Sequence, residues 1–175
     1  MSDRLTGLPT HRDLKKTPPS TNSTSELWVD IDGLIWINDQ SGFEAGDQAV
    51  REVAAALLAE LNPLGDNLYR VAGDEFLALL GDMDETAALR VGTKIVAAVA
   101  QREIPYRRRD RSSPTHLQVN VAAFRIDNAH LLQSIGEYRL GDPLHGALAD
   151  AVYKSKLSND TSAGVVVRVA FEQDP

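Results

Sequence analysis

Two short apolar runs, Leu68-Tyr-Arg-Val71 and Phe76-Leu-Ala-Leu-Leu80, are separated only by Ala72-Gly-Asp-Glu75. Two strands joined by a short turn that contains glycine make a β-hairpin. This hairpin puts an acidic turn at one end of an antiparallel sheet, and the rest of the chain must be arranged around it. Upstream, Leu27-Trp-Val-Asp-Ile31 reads as a buried strand bounded by Gly33 and a polar turn. From Asp47 to Leu61 the apolar residues Val50, Val53, Ala54, Leu57, Leu58 and Leu61 mark one face of a helix. Asp47 stands where a helix cap would be, and Asn62-Pro63 where the helix must stop. Asp84 to Ala100 is a second amphipathic helix, with Leu89, Ile95, Val96 and Val99 as core candidates. Leu117 to Ile126 follows as a long strand, then an irregular stretch from Asp127 to Pro143, a third helix from Leu144 to Leu157 and a closing strand from Gly164 to Ala170. This order predicts an α+β fold: a βαββαβ core of ferredoxin-like or polymerase-palm type, with an antiparallel central sheet and an added helix and strand.

At 175 residues and 43% hydrophobic content the chain has the material for one compact domain with a real core. The stretch Lys15 to Ser25 contains Pro18-Pro19 and a series of Ser and Thr, which reads as a mobile loop. The expected organisation is a lead-in and loop over residues 1–25 and a single domain over 26–175. The 18 Lys and Arg against 25 Asp and Glu leave a formal charge of −7, a poor basis for nucleic-acid binding, which needs a broad positive field. No cysteine is present, so thiolate nucleophiles, zinc–thiolate sites and disulfides are excluded together. No apolar run approaches the ~18 residues of a membrane span, and the N-terminus lacks the apolar stretch of a signal peptide. The expectation is a cytoplasmic protein with no membrane insertion and no nucleic-acid partner.

The acidic residues fall where chemistry can use them. Asp30 and Asp32 end the first strand, and Asp74 and Glu75 lie in the hairpin turn. They meet if the hairpin lies beside that strand, and two carboxylates at one sheet end can hold Mg²⁺ while leaving ligand positions for water and phosphate oxygens. Turns are also acidic simply because Asp and Gly favour them, so spacing alone leaves both readings open.

Four blocks carry a resemblance. Asp30-Ile-Asp32 is followed by Ile37-Asn-Asp39, Gly42 and Gly46-Asp47, and later by Arg70-Val-Ala-Gly-Asp-Glu-Phe76. Asp3 to Pro9 and Ala151-Val-Tyr-Lys-Ser-Lys156 flank them. In this order they resemble the GGDEF family of diguanylate cyclases, with an AGDEF variant of its signature. The resemblance implies that one GTP binds each protomer and that a homodimer joins two GTP into cyclic di-GMP with loss of pyrophosphate. It makes Asp30, Asp74 and the Ile31 carbonyl the ligands of Mg²⁺, with Mn²⁺ as a substitute. Asp74 and Glu75 become the catalytic carboxylates, with Glu75 assisting at the metal and the attacking hydroxyl. Asn38 and Asp47 become guanine readers, because a carboxylate accepts from the N1–H and amino group that adenine lacks. Lys156 becomes the phosphate contact. The family's leading helix usually connects to a sensor domain in a larger signalling chain, and here Pro18-Pro19 cut that helix short.

The departures set the expected efficiency. Ile35 replaces the family's phosphate-approaching lysine, Leu34 the preceding Phe, Phe43 the usual His, Ala72 the first Gly of the signature, and Asp160 a late arginine. Lost charged hydrogen bonds of about 1.5–3 kcal/mol each weaken triphosphate binding. Arg12 and the cluster from Arg107 to Arg111 are the remaining cations that can approach from outside, although such a cluster ordinarily forms a solvated loop. The product-inhibition motif R-x-x-D reads Pro63-Leu-Gly-Asp66, so feedback through it is not expected. Three readings follow: a cyclase of reduced activity, a degenerate domain that binds GTP or a protein partner without turnover, and a structural module that uses the fold alone. The retained carboxylates put the first ahead.

Overall fold

Trp28, Val29 and Ile31 favour a strand, and the strand they nucleate extends beyond Leu27 to Ile31 at both ends as β1, Ser23–Asp32. The computed structural model describes residues 2–16, 23–62, 67–105, 116–127 and 166–168. The remaining elements are α1 (His11–Lys16), α2 (Leu34–Ser41), α3 (Phe43–Leu61), β2 (Asn67–Ala72), β3 (Glu75–Leu79), α4 (Glu85–Ala100), β4 (Gln118–Asp127) and β5 (Val166–Arg168). The sheet order is β2-β3-β1-β4-β5. The first four strands are antiparallel neighbours, and β5 joins β4 in parallel. The palm-like α+β core is as the sequence predicts, with β5 as the added strand. The expected helix at 144–157, residues 128–143 and residues 17–22 of the expected loop lie outside the described residues.

Alternation along β1 divides the molecule into two faces. Leu27, Val29 and Ile31 join Phe76 and Ala78 of β3 and Val119, Val121 and Ala123 of β4 in one apolar layer. The same core takes in Val50, Val53, Ala54, Leu57 and Leu61 of α3 and Ala88, Ile95 and Val99 of α4. Each large side chain buried there contributes about 1.5–3 kcal/mol. On the opposite face the register builds three cross-strand rows: Leu79–Glu26–Phe124, Leu77–Trp28–Ala122 and Glu75–Asp30–Asn120. The first two rows are buried, and Glu26 is 0% exposed with no hydrogen-bond partner for either carboxylate oxygen. Burial alone pushes its carboxyl well above the usual range, which keeps the proton on. Leu14 of α1 and Tyr69 of β2 are buried on the molecule as well.

The helices after β1 differ from the sequence expectation in two respects. Gly33, at φ 84°, turns the chain out of the strand into α2, an element the sequence does not announce. Of its residues only Ile37 is buried, so no periodic apolar stripe marks it. A second positive φ, 84° at Gly42, separates α2 from α3. α3 therefore begins at Phe43 with Gly42 at its cap position, and Asp47 lies inside the helix, not at its cap. α4 begins at Glu85, one residue after the expected start, and the Asp84 side chain caps it by accepting the Ala87 amide at 2.8 Å.

Candidate active site

β1 and β3 bring the predicted acidic residues to one sheet end. The Cα atoms of Asp30 and Glu75 are register partners, and the Ile31 amide donates to the Asp74 carbonyl at 3.0 Å. In an antiparallel pair that bond makes Ile31–Asp74 the hydrogen-bonded position and Asp30–Glu75 the closer-spaced one, typically ~4.5 Å between Cα atoms. Asp30 and Glu75 thus share a face, opposite to Leu27, Val29 and Ile31. The Ile31 side chain is 2% exposed in the core, so its backbone carbonyl is what it can offer a metal. Asp30 and Asp74 are half-buried and Glu75 is buried. Among the described residues no group of three or more His, Asp or Glu forms a metal cage. A Mg²⁺ site does not require one. One or two carboxylates and a carbonyl are all-oxygen donors that suit a hard cation and leave positions for water and phosphate.

Asn38 of α2 lies at the junction with α3, against the residue that precedes Asp47. The Asn38 carbonyl accepts the Gly42 amide at 2.9 Å, closing α2. Its carboxamide lies against the backbone of Gly46, the residue before the exposed Asp47. Ile35 is 65% exposed in the first turn of α2, and Phe43 is 80% exposed at the start of α3. Ala72 ends β2 and is exposed, and it is not among the residues of positive φ, so its methyl group is unstrained there. Lys156, Asp160, residues 63–66 and the cluster from Arg107 to Arg111 lie outside the described residues.

Two features of the site do not emerge from reading the motifs one at a time. Arg70 donates from Nη1 to Asp3 Oδ1 at 2.9 Å and from Nη2 to the Gly73 carbonyl at 2.6 Å. Its amide donates to the Pro9 carbonyl at 2.9 Å, and Thr10 pairs with it as an isolated bridge. The lead-in is thereby fastened to the turn that carries Asp74 and Glu75. Burial would raise the Asp3 carboxyl, but hydrogen bonds from Arg70 and Thr6 hold it below its ordinary value. The sequence signal was the presence of Asp3 and Arg70 in separate motif blocks. The second feature is Asn120, 2% exposed and the register partner of Asp30 on the β4 side. Its signal was the alternation of β4.

The model of the family described as diguanylate cyclase, GGDEF domain, matches residues 1–138. The chain belongs to the GGDEF family. It is 38% identical over 89 residues to the probable diguanylate cyclase DgcE of Escherichia coli, a match covering 50% of this chain and 8% of that protein. It is 30% identical over 132 residues to the diguanylate cyclase TpbB of Pseudomonas aeruginosa, covering 70% of this chain and 29% of that protein. The chain therefore spans less than a third of either relative. A solved structure of the TpbB GGDEF domain superposes with a TM-score of 0.65 at 24% identity, covering 96% of this chain and 94% of that one. That likeness confirms the fold. No helix among the described residues is long and apolar enough to cross a membrane.

Proposed function

We propose that this GGDEF domain binds GTP with Mg²⁺ and, as a pair of facing protomers, condenses two GTP into cyclic di-GMP. The observation that carries the reading is the register that sets Asp30 opposite Glu75 while the Ile31 amide bonds the Asp74 carbonyl. Asp30, Asp74 and the Ile31 carbonyl would hold the metal, and Mn²⁺ suits the same oxygen donors. Bound Mg²⁺ supplies charge neutralisation at the α-phosphate and acidifies the attacking 3′-hydroxyl. Glu75, the register partner of Asp30, would accept that hydroxyl's proton. Asn38 and Asp47 read the base, the carboxylate accepting from the N1–H and amino group of guanine. Lys156 contacts the phosphates. Because each protomer carries one GTP, the 3′-hydroxyl of one must face the α-phosphate of the other, and catalysis is a matter of positioning and charge.

We further propose that turnover is reduced, because Ile35 presents an aliphatic side chain where the family has a lysine, and that feedback through the R-x-x-D position is absent. Residues 1–25 and 26–175 act as one unit, in the cytoplasm, within a larger signalling chain and without nucleic acid as a partner.

The 65% exposure of Ile35 favours a second reading, a domain that binds GTP or a protein partner and regulates without turnover. Incubation of the purified protein with GTP and Mg²⁺, followed by nucleotide separation, tests both. Cyclic di-GMP formed by the wild type and abolished by Asp74→Ala supports the enzyme. Saturable GTP binding without product supports the regulatory domain. Absence of GTP binding overturns the nucleotide reading altogether.

A further inference from the structure

We infer that Gly46 is a positioning residue for base recognition, its missing side chain being the space in which the Asn38 carboxamide stands. The inference rests on the nucleotide reading above and adds a determinant to it. A Cβ built on Gly46 would lie 1.8 Å from Asn38 Oδ1 and 2.9 Å from Asn38 Cγ. Real Cβ atoms do not approach other heavy atoms that closely, so any side chain at 46 drives the carboxamide out of its place. The backbone makes no separate demand for glycine. Gly46 lies within α3 and is not among the residues of positive φ. A helix-interior glycine is, if anything, destabilising relative to alanine.

The geometry also brings Asn38 to the helix that carries Asp47. Asn38 belongs to α2 and Asp47 to α3, two helices separated by the glycine break at 42. The carboxamide bridges that break by resting on the residue directly before Asp47. An amide with one acceptor and two donors can read a base edge only if its rotamer is fixed. Contact with the bare helix backbone restricts that rotamer and holds the amide against the residue before Asp47. Alanine at 46 displaces only the far end of a flexible side chain, so the fold tolerates the change while the recognition geometry does not.

The test compares Gly46→Ala, Asn38→Ala and the double variant by GTP and ATP titration in Mg²⁺ and by thermal unfolding. Gly46→Ala is expected to leave the melting temperature unchanged or raised, to weaken GTP binding about tenfold and to reduce preference for GTP over ATP by a similar factor. Asn38→Ala should give the same loss, and the double variant should be no worse than either single one, because both act through one group. Wild-type GTP affinity and selectivity in Gly46→Ala would overturn the inference while leaving the nucleotide reading intact. A lowered melting temperature with unchanged selectivity would also overturn it, by assigning Gly46 a purely structural role. A wild type that binds no GTP overturns the nucleotide reading instead. The unfolding data then decide the contact itself: Gly46→Ala must raise the melting temperature more in the Asn38→Ala background than in the wild type, and equal shifts overturn it.

Discussion

Glu26 and Asp30 occupy the same face of the same strand, four residues apart, and have opposite fates. Asp30 lies at the strand end in a row with Glu75 and Asn120 and is half-buried. Glu26 lies between Leu79 and Phe124, wholly buried, with neither oxygen hydrogen-bonded. A carboxylate can remain charged where water and backbone donors reach it, whereas one enclosed by apolar side chains keeps its proton. Position along the strand, more than residue type, thus decides which acid can do chemistry. The comparison predicts that removing Asp30 costs function and spares stability, whereas removing Glu26 does the reverse.

The largest effect belongs to the site. Asp30→Asn should lower cyclic di-GMP formation by about 10²–10³-fold, equivalent to ~2.7–4 kcal/mol in the barrier, since the proposed Mg²⁺ ligand loses its charge with little change in shape. Its unfolding free energy from urea titration should stay within about 0.5 kcal/mol of wild type. Nucleotide separation and denaturant unfolding of the same preparations check both halves. A strongly destabilised Asp30→Asn would remove the contrast with Glu26.

Glu26 is next in size. Its folded-state carboxyl is raised above the ordinary value of 4.5, so the native state holds the proton more tightly than the unfolded chain. The stability linked to that proton is complete below about pH 4.5 and declines as pH rises from there towards the folded value. Glu26→Leu, similar in volume and without a polar group to bury, should stabilise the domain by about 1–3 kcal/mol at pH 8. It should also flatten the fall in stability between pH 5 and 8, and leave GTP binding unchanged. Unfolding midpoints across that pH range measure the slope. An identical slope in wild type and variant would show that Glu26 finds compensation when ionised.

The two acids also differ in how readily the sequence reveals them. Asp30 was visible because a strand ending in Asp-Ile-Asp and a turn reading Gly-Asp-Glu each have a chemical use, and the hairpin brought them together. Glu26 was not, because Thr-Ser-Glu before an apolar run reads as polar flank, and only the register shows Leu79 and Phe124 on either side of it. The hairpin and α4 were legible because their signals lie within a few residues of one another. α2 left no trace because it buries Ile37 alone. The contact between Asn38 and Gly46 was hidden because it joins two helices, and α2, which carries Asn38, has no signal in the sequence. The bond from Arg70 to Asp3 joins residues 67 apart, a separation over which no local pattern operates.

That bond gives a third test, at the other end of the acidic turn. Asp3→Asn keeps the shape and removes the charge facing Arg70, which should cost about 1.5 kcal/mol, the lower range for a hydrogen bond to a charged group. The pH sense is opposite to that of Glu26. The Asp3 carboxyl is held below 3.8, so its contribution is present above that value and is lost as pH falls through the folded value. Unfolding curves at pH 3 and 6 should therefore converge for Asp3→Asn and wild type at the lower pH. Because Arg70 also holds the Gly73 carbonyl, Asp3→Asn should weaken GTP turnover several-fold as well, an effect Glu26→Leu must not share.

The smallest expected effect serves as the control for all three. Asp84 caps α4 by accepting the Ala87 amide, on an exposed helix end whose partners belong to neither acidic row. Asp84→Ala leaves that amide to water and should cost about 1 kcal/mol. It removes a carboxylate too, so it carries the same change in formal charge as Asp3→Asn. If loss of charge in general impaired the nucleotide site, Asp84→Ala would lower turnover in step with stability. If placement in the row with Glu75 is what counts, turnover at saturating Mg²⁺ stays at the wild-type value while the urea midpoint falls. The ratio of lost activity to lost stability should be high for Asp30, intermediate for Asp3 and near zero for Asp84, and a shared ratio would mean that the acids differ only in how much fold each one holds.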